Sequence, residues 1–287
     1  MNKFKEKYFE LVYPHFINDK KIPPKKFCFI ISSGRTGTTF LSKYFNQFFD
    51  DVLSVHEPKV HVKSMGKKFL NKDISMIKAK KLFLSLRRDL YINKSKKNSI
   101  IIESNPTLGW LVPLLKDLFD NPKIIFVTRD PKTYVRSAFD KIPQESKPDK
   151  LFYSKEDMQS RLTPYYFKND SIRANWENME RFEKICWFWN RFNKHIYSEL
   201  KEYDNLLIVK FEDIFQNDNS NTIKKMIDFF ELRENLNVDF YNSLKLFGKK
   251  INDNQNYKYN KDFKKWSEKD QNTLLEYTSE MRKVLGY

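Results

Sequence analysis

The sequence predicts an α/β fold: a central, mostly parallel sheet of about five strands flanked by helices, within one domain spanning residues 1–287. Five short apolar runs of strand length are separated by segments with helical spacing of apolar residues. The connections are long enough for the crossover helices that parallel strands require. Polar or charged residues follow several of the runs, where functional groups of parallel sheets gather. We therefore expect the functional groups at one edge of the sheet.

The predicted elements alternate along the chain. Strands are predicted at 27–31, 51–55, 99–102, 123–128 and 206–209. Helices are predicted at 38–49, 59–90, 106–119, 134–139 and 176–200, and the chain after the fifth strand is expected to be helical apart from 248–259. Residues 141–175 contain several prolines and an aromatic cluster, which predicts an irregular insertion over the sheet edge.

The composition favours a globular protein with an anionic partner. The 287 residues are 40% hydrophobic and 16% aromatic, which excludes wholesale disorder. With 53 basic and 37 acidic residues, the formal net charge is +16. Such a charge favours nucleic acid, a membrane surface, an acidic glycan or a polyphosphorylated cofactor. A solvated lysine surface explains the excess equally well.

The two cysteines, Cys28 and Cys186, lie in apolar patterns, which indicates buried thiols rather than a disulfide framework. No apolar stretch reaches the roughly 18 residues of a membrane span, and no N-terminal signal pattern is present. We therefore expect a cytoplasmic protein without a transmembrane segment. Contact with a membrane surface and an anchor outside this sequence remain open alternatives.

The most informative motif follows the first predicted strand. The loop Ser32-Ser-Gly-Arg-Thr-Gly-Thr-Thr39 leads into a predicted helix. Backbone N–H groups and the helix dipole at such a junction favour an anion. The loop is P-loop-like, but the nucleoside-triphosphate form requires Gly and Lys where Ser32 and Thr38 stand here. Arg35 supplies the cation of this loop.

A second motif follows the fourth predicted strand. Arg129-Asp-Pro131 ends the strand, and Ser137 lies eight positions after Arg129, at the start of the next helix. An arginine at a strand end offers a planar fork of donors, and a nearby serine adds a hydroxyl. The pattern predicts that Arg129 and Ser137 bind one phosphate group together.

Together the two motifs resemble the sulfotransferase family, which uses 3′-phosphoadenosine 5′-phosphosulfate (PAPS). Arg35-Thr-Gly-Thr-Thr39 is similar to the loop that holds the 5′-phosphosulfate in that family. Arg129-Asp-Pro131, together with Ser137, is similar to the segment that holds the 3′-phosphate. Three later segments are also similar to the family: Cys186-Trp-Phe-Trp-Asn-Arg-Phe-Asn193, Leu207-Ile-Val-Lys-Phe-Glu-Asp-Ile214 and Lys265-Trp266 with Val284-Leu-Gly-Tyr287.

The resemblance implies a set of donor-binding residues and no required metal. The set is Arg35, Thr36, Gly37, Thr38, Thr39, Arg129, Ser137 and Lys261. Lys261 and Lys258 lie where many family members place a basic loop over the 3′-phosphate. This sequence lacks the usual Arg-Lys-Gly form of that loop, and a solvated lysine surface is the alternative.

The resemblance also implies a general base. Glu57 lies 22 residues after Arg35, and a Glu soon after the loop helix is the base in the carbohydrate and tyrosyl-protein branches. Glu57-Pro-Lys-Val-His-Val62 resembles the Glu-Pro-x-x-His-Val stretch of carbohydrate 6-O-sulfotransferases. His56 ranks second and Glu103 third. Consecutive side chains at a strand end are expected to point apart, which ranks His56 below Glu57. Arg35 is the third residue with an implied catalytic role, because its cation can stabilise the leaving phosphate oxygen.

The implied activity is sulfuryl transfer to a hydroxyl or amine of a carbohydrate-like acceptor, a glycan or glycolipid, with no nucleic-acid partner. The third predicted strand lacks the histidine of the phenol and steroid enzymes, so the match is closest to the carbohydrate and tyrosyl-protein branches. A P-loop small-molecule kinase and a basic module that binds glycan or nucleic acid are the alternatives. The basic and aromatic residues of 141–175 are consistent with an acceptor site or with packing on the sheet.

Overall fold

Five strands form one parallel sheet in the computed structural model, which describes residues 25–58, 62–139, 152, 161–215, 219–248 and 258–287. The strands are β1 (Lys26–Ser32), β2 (Val52–His56), β3 (Ile100–Ser104), β4 (Lys123–Thr128) and β5 (Leu206–Lys210). They lie in the order β2-β3-β1-β4-β5, and each neighbouring pair is parallel. The predicted α/β fold with a five-stranded sheet is confirmed.

Helices connect the strands and cover both faces of the sheet. The helices of the described residues are α1 (Thr38–Phe48), α2 (Lys63–Leu70), α3 (Met76–Arg88), α4 (Val112–Leu118), α5 (Pro131–Phe139), α6 (Arg181–Leu200), α7 (Phe211–Phe215), α8 (Ser220–Phe229), α9 (Phe240–Leu244) and α10 (Glu268–Val284). A π-helical turn (Asp89–Lys94) extends α3, and a 3₁₀ turn (Pro106–Trp110) precedes α4.

Successive side chains along the strands point to opposite faces of the sheet, and they belong to two buried apolar clusters, one on each face. Phe29 of β1 packs in the cluster that includes Trp189 of α6, whereas Ile30 packs in the cluster that includes Phe45 of α1. Burial on both faces explains why the strands read as continuous apolar runs. The helical stripe predicted for 176–200 is buried along α6, from Ile185 to Leu200.

The connections after β1 and β4 leave the sheet on opposite faces. Leu41 of α1 belongs to one apolar cluster, and Tyr134 of α5 belongs to the other. A crevice opens between neighbouring parallel strands where connections diverge in this way, and ligands of open α/β sheets bind there. The loops that carry the two sequence motifs therefore flank the expected binding crevice.

Several predicted bounds need correction. The helix predicted at 59–90 is two helices, because Lys72 adopts a left-handed φ of 64° and Ser75 caps α3 by accepting a hydrogen bond from the Lys78 N–H. The helix predicted at 106–119 starts as a 3₁₀ turn, and α4 begins only at Val112. The third strand runs on to Ser104, so Glu103 lies inside the strand rather than after it.

The irregular insertion predicted at 141–175 lies largely outside the described residues. Its described part contains short 3₁₀ turns at Pro164–Tyr166 and Ser171–Ala174. Phe152 is buried against Trp176 and Phe188 of the α6 side. This part of the chain therefore packs on the apolar cluster that α6 shares with the sheet.

Candidate active site

The β1–α1 loop, residues 33–37, turns sharply. Gly34, Arg35 and Gly37 all have left-handed φ values, of 87°, 56° and 72°. Two features exclude a side chain at position 37. The φ of Gly37 is positive, and an added Cβ would lie 2.3 Å from Cε2 of Phe215. The first N–H groups of α1 have no acceptor within the helix. Loop and helix start thus form a concave face rich in backbone donors.

Two hydroxyls of this loop are buried without a protein partner. Within the described residues, Ser33 Oγ and Thr36 Oγ1 make no hydrogen bond. A buried hydroxyl left unpaired costs free energy unless a ligand or water satisfies it. The loop is therefore suited to a ligand with several acceptor oxygens. The neighbouring Ser33 carbonyl accepts a hydrogen bond from Tyr134 Oη at 3.3 Å, which joins the loop to α5.

The two predicted motifs meet in one crevice. Arg35 donates from Nε and Nη2 to Ser137 Oγ at 3.1 and 3.0 Å. Arg129 donates from Nη1 to the Arg35 carbonyl and from Nε to Thr133 Oγ1 at 3.0 Å. The structure thus places Arg35, Arg129 and Ser137 side by side, together with Thr36, Gly37, Thr38 and Thr39 of the loop and helix start.

The β5–α7 junction holds Arg129 in place. The guanidinium lies 4.1 Å from the ring centroid of Phe211, and the Arg129 carbonyl accepts from Trp189 Nε1 at 3.0 Å. Glu212 Oε1 accepts from the backbone N–H of Asp130 at 3.1 Å. We did not predict roles for Phe211 and Glu212. The usable signal was their position directly after the fifth strand, at the same sheet edge.

Glu57 and His56 lie together at the end of β2. Glu57 Oε1 is 3.8 Å from His56 Nε2, and 47% of the Glu57 side chain is exposed. The expectation that these side chains point apart is wrong. Glu57 has a φ of 42°, so the chain has left the extended conformation in which neighbouring side chains alternate.

His56 is tied to the helix start through Ser104. Ser104 Oγ donates to the Thr38 carbonyl at 3.3 Å and lies 3.1 Å from His56 Nδ1. Because the Ser104 hydroxyl proton is donated to the Thr38 carbonyl, Ser104 Oγ accepts a hydrogen bond from Nδ1–H of His56. The other ring nitrogen, Nε2, is then an acceptor beside Glu57. Burial lowers the pKa of His56, and the charge of Glu57 opposes this only in part. His56 is therefore neutral at pH 7.

Glu103 is occupied in the core, so its place as third candidate base requires correction. Arg87 donates from Nε and Nη2 to the two carboxylate oxygens at 2.9 and 2.8 Å, and Tyr91 Oη donates at 3.0 Å. Both charged side chains are fully buried. Because Glu103 alternates with Ser104 along β3, it faces away from His56. Glu103 therefore has a structural role in the buried core.

Lys261 is exposed, two residues beyond the part of its loop that packs on α5. The Tyr259 carbonyl accepts from Arg136 Nε at 2.9 Å, and Lys258 Nζ lies 4.9 Å from the ring centroid of Phe139. The loop before α10 therefore lies against the helix that carries Ser137. Lys258 is the lysine of this loop with contacts to that helix.

The described residues contain neither a metal site nor a membrane-spanning helix. Within the described ranges, no group of three or more His, Cys, Asp or Glu side chains is arranged to hold a metal ion. Among the helices described, none combines the length and the apolar character needed to cross a bilayer.

Comparison with known proteins assigns the family. A family model described as "Sulfotransferase domain" matches residues 25–283. A "Sulfotransferase Domain from the Curacin Biosynthetic Pathway" has 14% identity and a TM-score of 0.44 over 72% of this chain and 74% of its own. A sulfotransferase from Alicyclobacillus acidocaldarius has 13% identity and a TM-score of 0.43 over 75% and 85%. No curated protein matches. Because the family model spans most of its length, the chain belongs to the sulfotransferase family.

Proposed function

We propose that this enzyme transfers a sulfuryl group from PAPS to a hydroxyl, or an amine, of a carbohydrate-like acceptor, with Glu57 as the general base. The observation that carries the proposal is the pair of hydrogen bonds from Arg35 to Ser137. They join the loop after β1 to the segment after β4, so one ligand with two phosphate groups can span both. Glu57 follows β2 at the same sheet edge, and Ser104, which accepts from the Glu57 N–H, donates to the Thr38 carbonyl of α1.

The residues present fit the donor. The unpaired hydroxyls of Ser33 and Thr36, the N–H groups at the start of α1 and the Arg35 guanidinium suit the 5′-phosphosulfate. Arg129 and Ser137 suit the 3′-phosphate. PAPS supplies an activated sulfuryl group, and its leaving phosphate oxygen gains negative charge during transfer. Fixed donors at that oxygen stabilise the charge, so the loop lowers the barrier without the lysine of kinases.

Glu57 suits the role of base because it is both accessible and held. Its backbone N–H donates to the Ser104 carbonyl at 2.9 Å, while about half of its side chain meets solvent. In the transfer step, the acceptor oxygen forms a bond to sulfur as the bond from sulfur to the phosphate oxygen breaks. The electron pair stays on the phosphate, and the acceptor proton passes to the Glu57 carboxylate.

The position of His56 supports a secondary role beside Glu57. Nε2 of the neutral ring lies 3.8 Å from Glu57 Oε1, so the ring lies within reach of a hydroxyl bound at the carboxylate. The similarity of 57–62 to carbohydrate 6-O-sulfotransferases supports the carbohydrate-like acceptor. The described Tyr165 and Tyr166 add aromatic faces of the kind that stack on sugar rings.

Calorimetry with adenosine 3′,5′-bisphosphate tests the donor site. The wild type is expected to bind it more tightly than adenosine 5′-monophosphate, and Arg129→Gln is expected to abolish that preference. Charged hydrogen bonds of about 1.5–3 kcal/mol predict a loss of about 10- to 100-fold for the bisphosphate alone. Lys78→Gln on the exposed face of α3 serves as the matched charge control. Equal affinity of the wild type for both nucleotides would contradict the proposed donor.

A further inference from the structure

The hydroxyl of Tyr287 lies at the carboxyl end of β4, where the segment that carries Arg129 begins. Tyr287 Oη donates a hydrogen bond to Glu212 Oε2 at 3.3 Å and lies 2.8 Å from Thr128 Oγ1. Thr128 is the last residue of β4 and directly precedes Arg129. The side chain of Tyr287 thus joins the end of β4 to α7, which carries Glu212.

The end of α10 brings Tyr287 to the sheet. Gly286 has a left-handed φ of 71°, and its N–H donates to the Lys283 carbonyl at 3.3 Å. The Tyr287 N–H donates to the Arg282 carbonyl at 2.8 Å. These two bonds and the glycine form a Schellman motif, which ends the helix and turns the chain. Lys210 of β5 donates from Nζ to the Gly286 carbonyl at 2.6 Å, so the turn is held against the sheet.

The hydrogen bonds around Tyr287 Oη run in one direction. A carboxylate oxygen accepts, so the single phenol proton goes to Glu212. The Thr128 hydroxyl therefore donates to Tyr287 Oη at 2.8 Å, a shorter contact than the 3.4 Å to the Val209 carbonyl. Burial, and then the charge of Glu212, raise the pKa of Tyr287, so the phenol remains a donor at pH 7.

The Glu212 carboxylate connects this phenol to Arg129. Its Oε2 accepts from Tyr287, whereas its Oε1 accepts from the Asp130 N–H at 3.1 Å and from Thr133 Oγ1 at 3.3 Å. Thr133 Oγ1 in turn accepts from Arg129 Nε at 3.0 Å. One carboxylate therefore orients both the backbone after Arg129 and the hydroxyl that holds its guanidinium. The bond to the phenol fixes the second oxygen and so limits rotation of the carboxylate.

We propose that Tyr287 is a positioning residue for the donor site, which acts through Glu212 to hold Arg129 in the orientation that binds the 3′-phosphate. The inference rests on the proposed use of PAPS and extends that site to a residue beyond those proposed to bind the donor. An arginine binds phosphate best when its planar fork of donors is aligned with the phosphate oxygens. Without the phenol, Glu212 is free to rotate away from Asp130 and Thr133, and the guanidinium loses this alignment.

Calorimetry with adenosine 3′,5′-bisphosphate and adenosine 5′-monophosphate tests the inference. Tyr287→Phe removes only the hydroxyl and should weaken binding of the bisphosphate by about 2- to 10-fold, the range that the net free energy of one hydrogen bond predicts. Binding of the monophosphate should change little. The β1–α1 loop, which would bind its 5′-phosphate, has a separate support in the hydrogen bond from Tyr134 Oη to the Ser33 carbonyl. A general disturbance of the fold would weaken both nucleotides alike.

A double-mutant cycle tests whether the effect passes through Glu212. Glu212→Ala should weaken binding of the bisphosphate at least as much as Tyr287→Phe does. Adding Tyr287→Phe to Glu212→Ala should cause no further loss, because the phenol then has no carboxylate to orient. Should Tyr287→Phe fail to fold, Thr128→Val provides a second variant. It removes the hydroxyl that donates to Tyr287 Oη and should also weaken binding of the bisphosphate selectively.

Tyr203→Phe is the matched control, because the Tyr203 hydroxyl donates to the Pro122 carbonyl at 2.7 Å, at the opposite end of β4. Its loss should leave both affinities unchanged. The inference is overturned if Tyr287→Phe keeps the wild-type preference for the bisphosphate, weakens both nucleotides equally or adds its full effect to that of Glu212→Ala. Equal affinity of the wild type for the two nucleotides would instead overturn the proposed donor site on which the inference rests.

Discussion

The buried ion pair with Arg87 gives Glu103 a structural role in the core. Both side chains are fully buried, and Tyr91 adds a third contact to the carboxylate. Removing one member of such a pair leaves an uncompensated charge in the core. The free energy of unfolding, rather than the chemistry, should therefore depend on Glu103.

We predict that Glu103→Ala lowers the free energy of unfolding by about 3–5 kcal/mol. Urea denaturation followed by circular dichroism measures it. The double variant Arg87→Met, Glu103→Leu should recover much of the loss, because apolar residues of similar volume replace a buried pair at little cost. A Glu103→Ala protein of wild-type stability that had lost sulfuryl transfer would show instead that the carboxylate takes part in the reaction.

At this scale the sequence predicted which motif residues lie together better than it predicted the surroundings of Glu57 and Glu103. Arg35, Arg129 and Ser137 follow from short motifs whose side chains converge in the structure. The position of Glu103 was predicted wrongly because the strand runs two residues past its predicted end. Glu103 therefore lies within the buried strand rather than at the sheet edge. The left-handed φ of Glu57 has no signal in the residue type, so its proximity to His56 could not be predicted.

Among the elements, α2 carries a lysine whose charge opposes folding. Its Lys67 has a pKa lowered from 10.5 to about 8, by burial first and by Lys63 and Arg161 next. Between these two values the unfolded chain holds a proton that the folded chain has released, so stability rises with pH in that window. Below pH 8 both states are protonated and the penalty is fully present.

Lys67→Met is therefore predicted to raise the Tm at pH 7, by about 2–4 °C for each kcal/mol of penalty removed. The advantage over wild type should shrink as the pH rises from 8 toward 10.5. Differential scanning calorimetry across this range provides the measurement, with Lys78→Met as the control that shows no such trend. A Tm below that of wild type at pH 7 would mean that Lys67 stabilises the fold and would contradict this prediction.

Element type was easier to predict than element bounds. Each predicted strand is present, because continuous apolar runs signal burial on both faces. The break between α2 and α3 was missed, since Asn71-Lys72-Asp73 reads as a polar helix surface until the φ of Lys72 is known. The effect of Arg161 on the pKa of Lys67 could not be predicted for a related reason, because it arises only from tertiary packing.

For the whole molecule, strand order determines where chemistry can occur. The order β2-β3-β1-β4-β5 places the ends of β1 and β4 side by side, with their helices on opposite faces. The order could not be read from the sequence, but alternating strands and helices predicted a parallel sheet and a shared carboxyl edge. The proposed donor residues and Glu57 follow strands that end at that edge.

The most direct test of the central claim is transfer from labelled PAPS by Glu57→Gln, compared with wild type on the same acceptor panel. We predict a loss in kcat of about 10²- to 10⁴-fold, the range for removal of a general base. The thermal shift by adenosine 3′,5′-bisphosphate should stay at its wild-type value, because Glu57 is not among the proposed donor-binding residues. Undiminished transfer by Glu57→Gln would contradict the account.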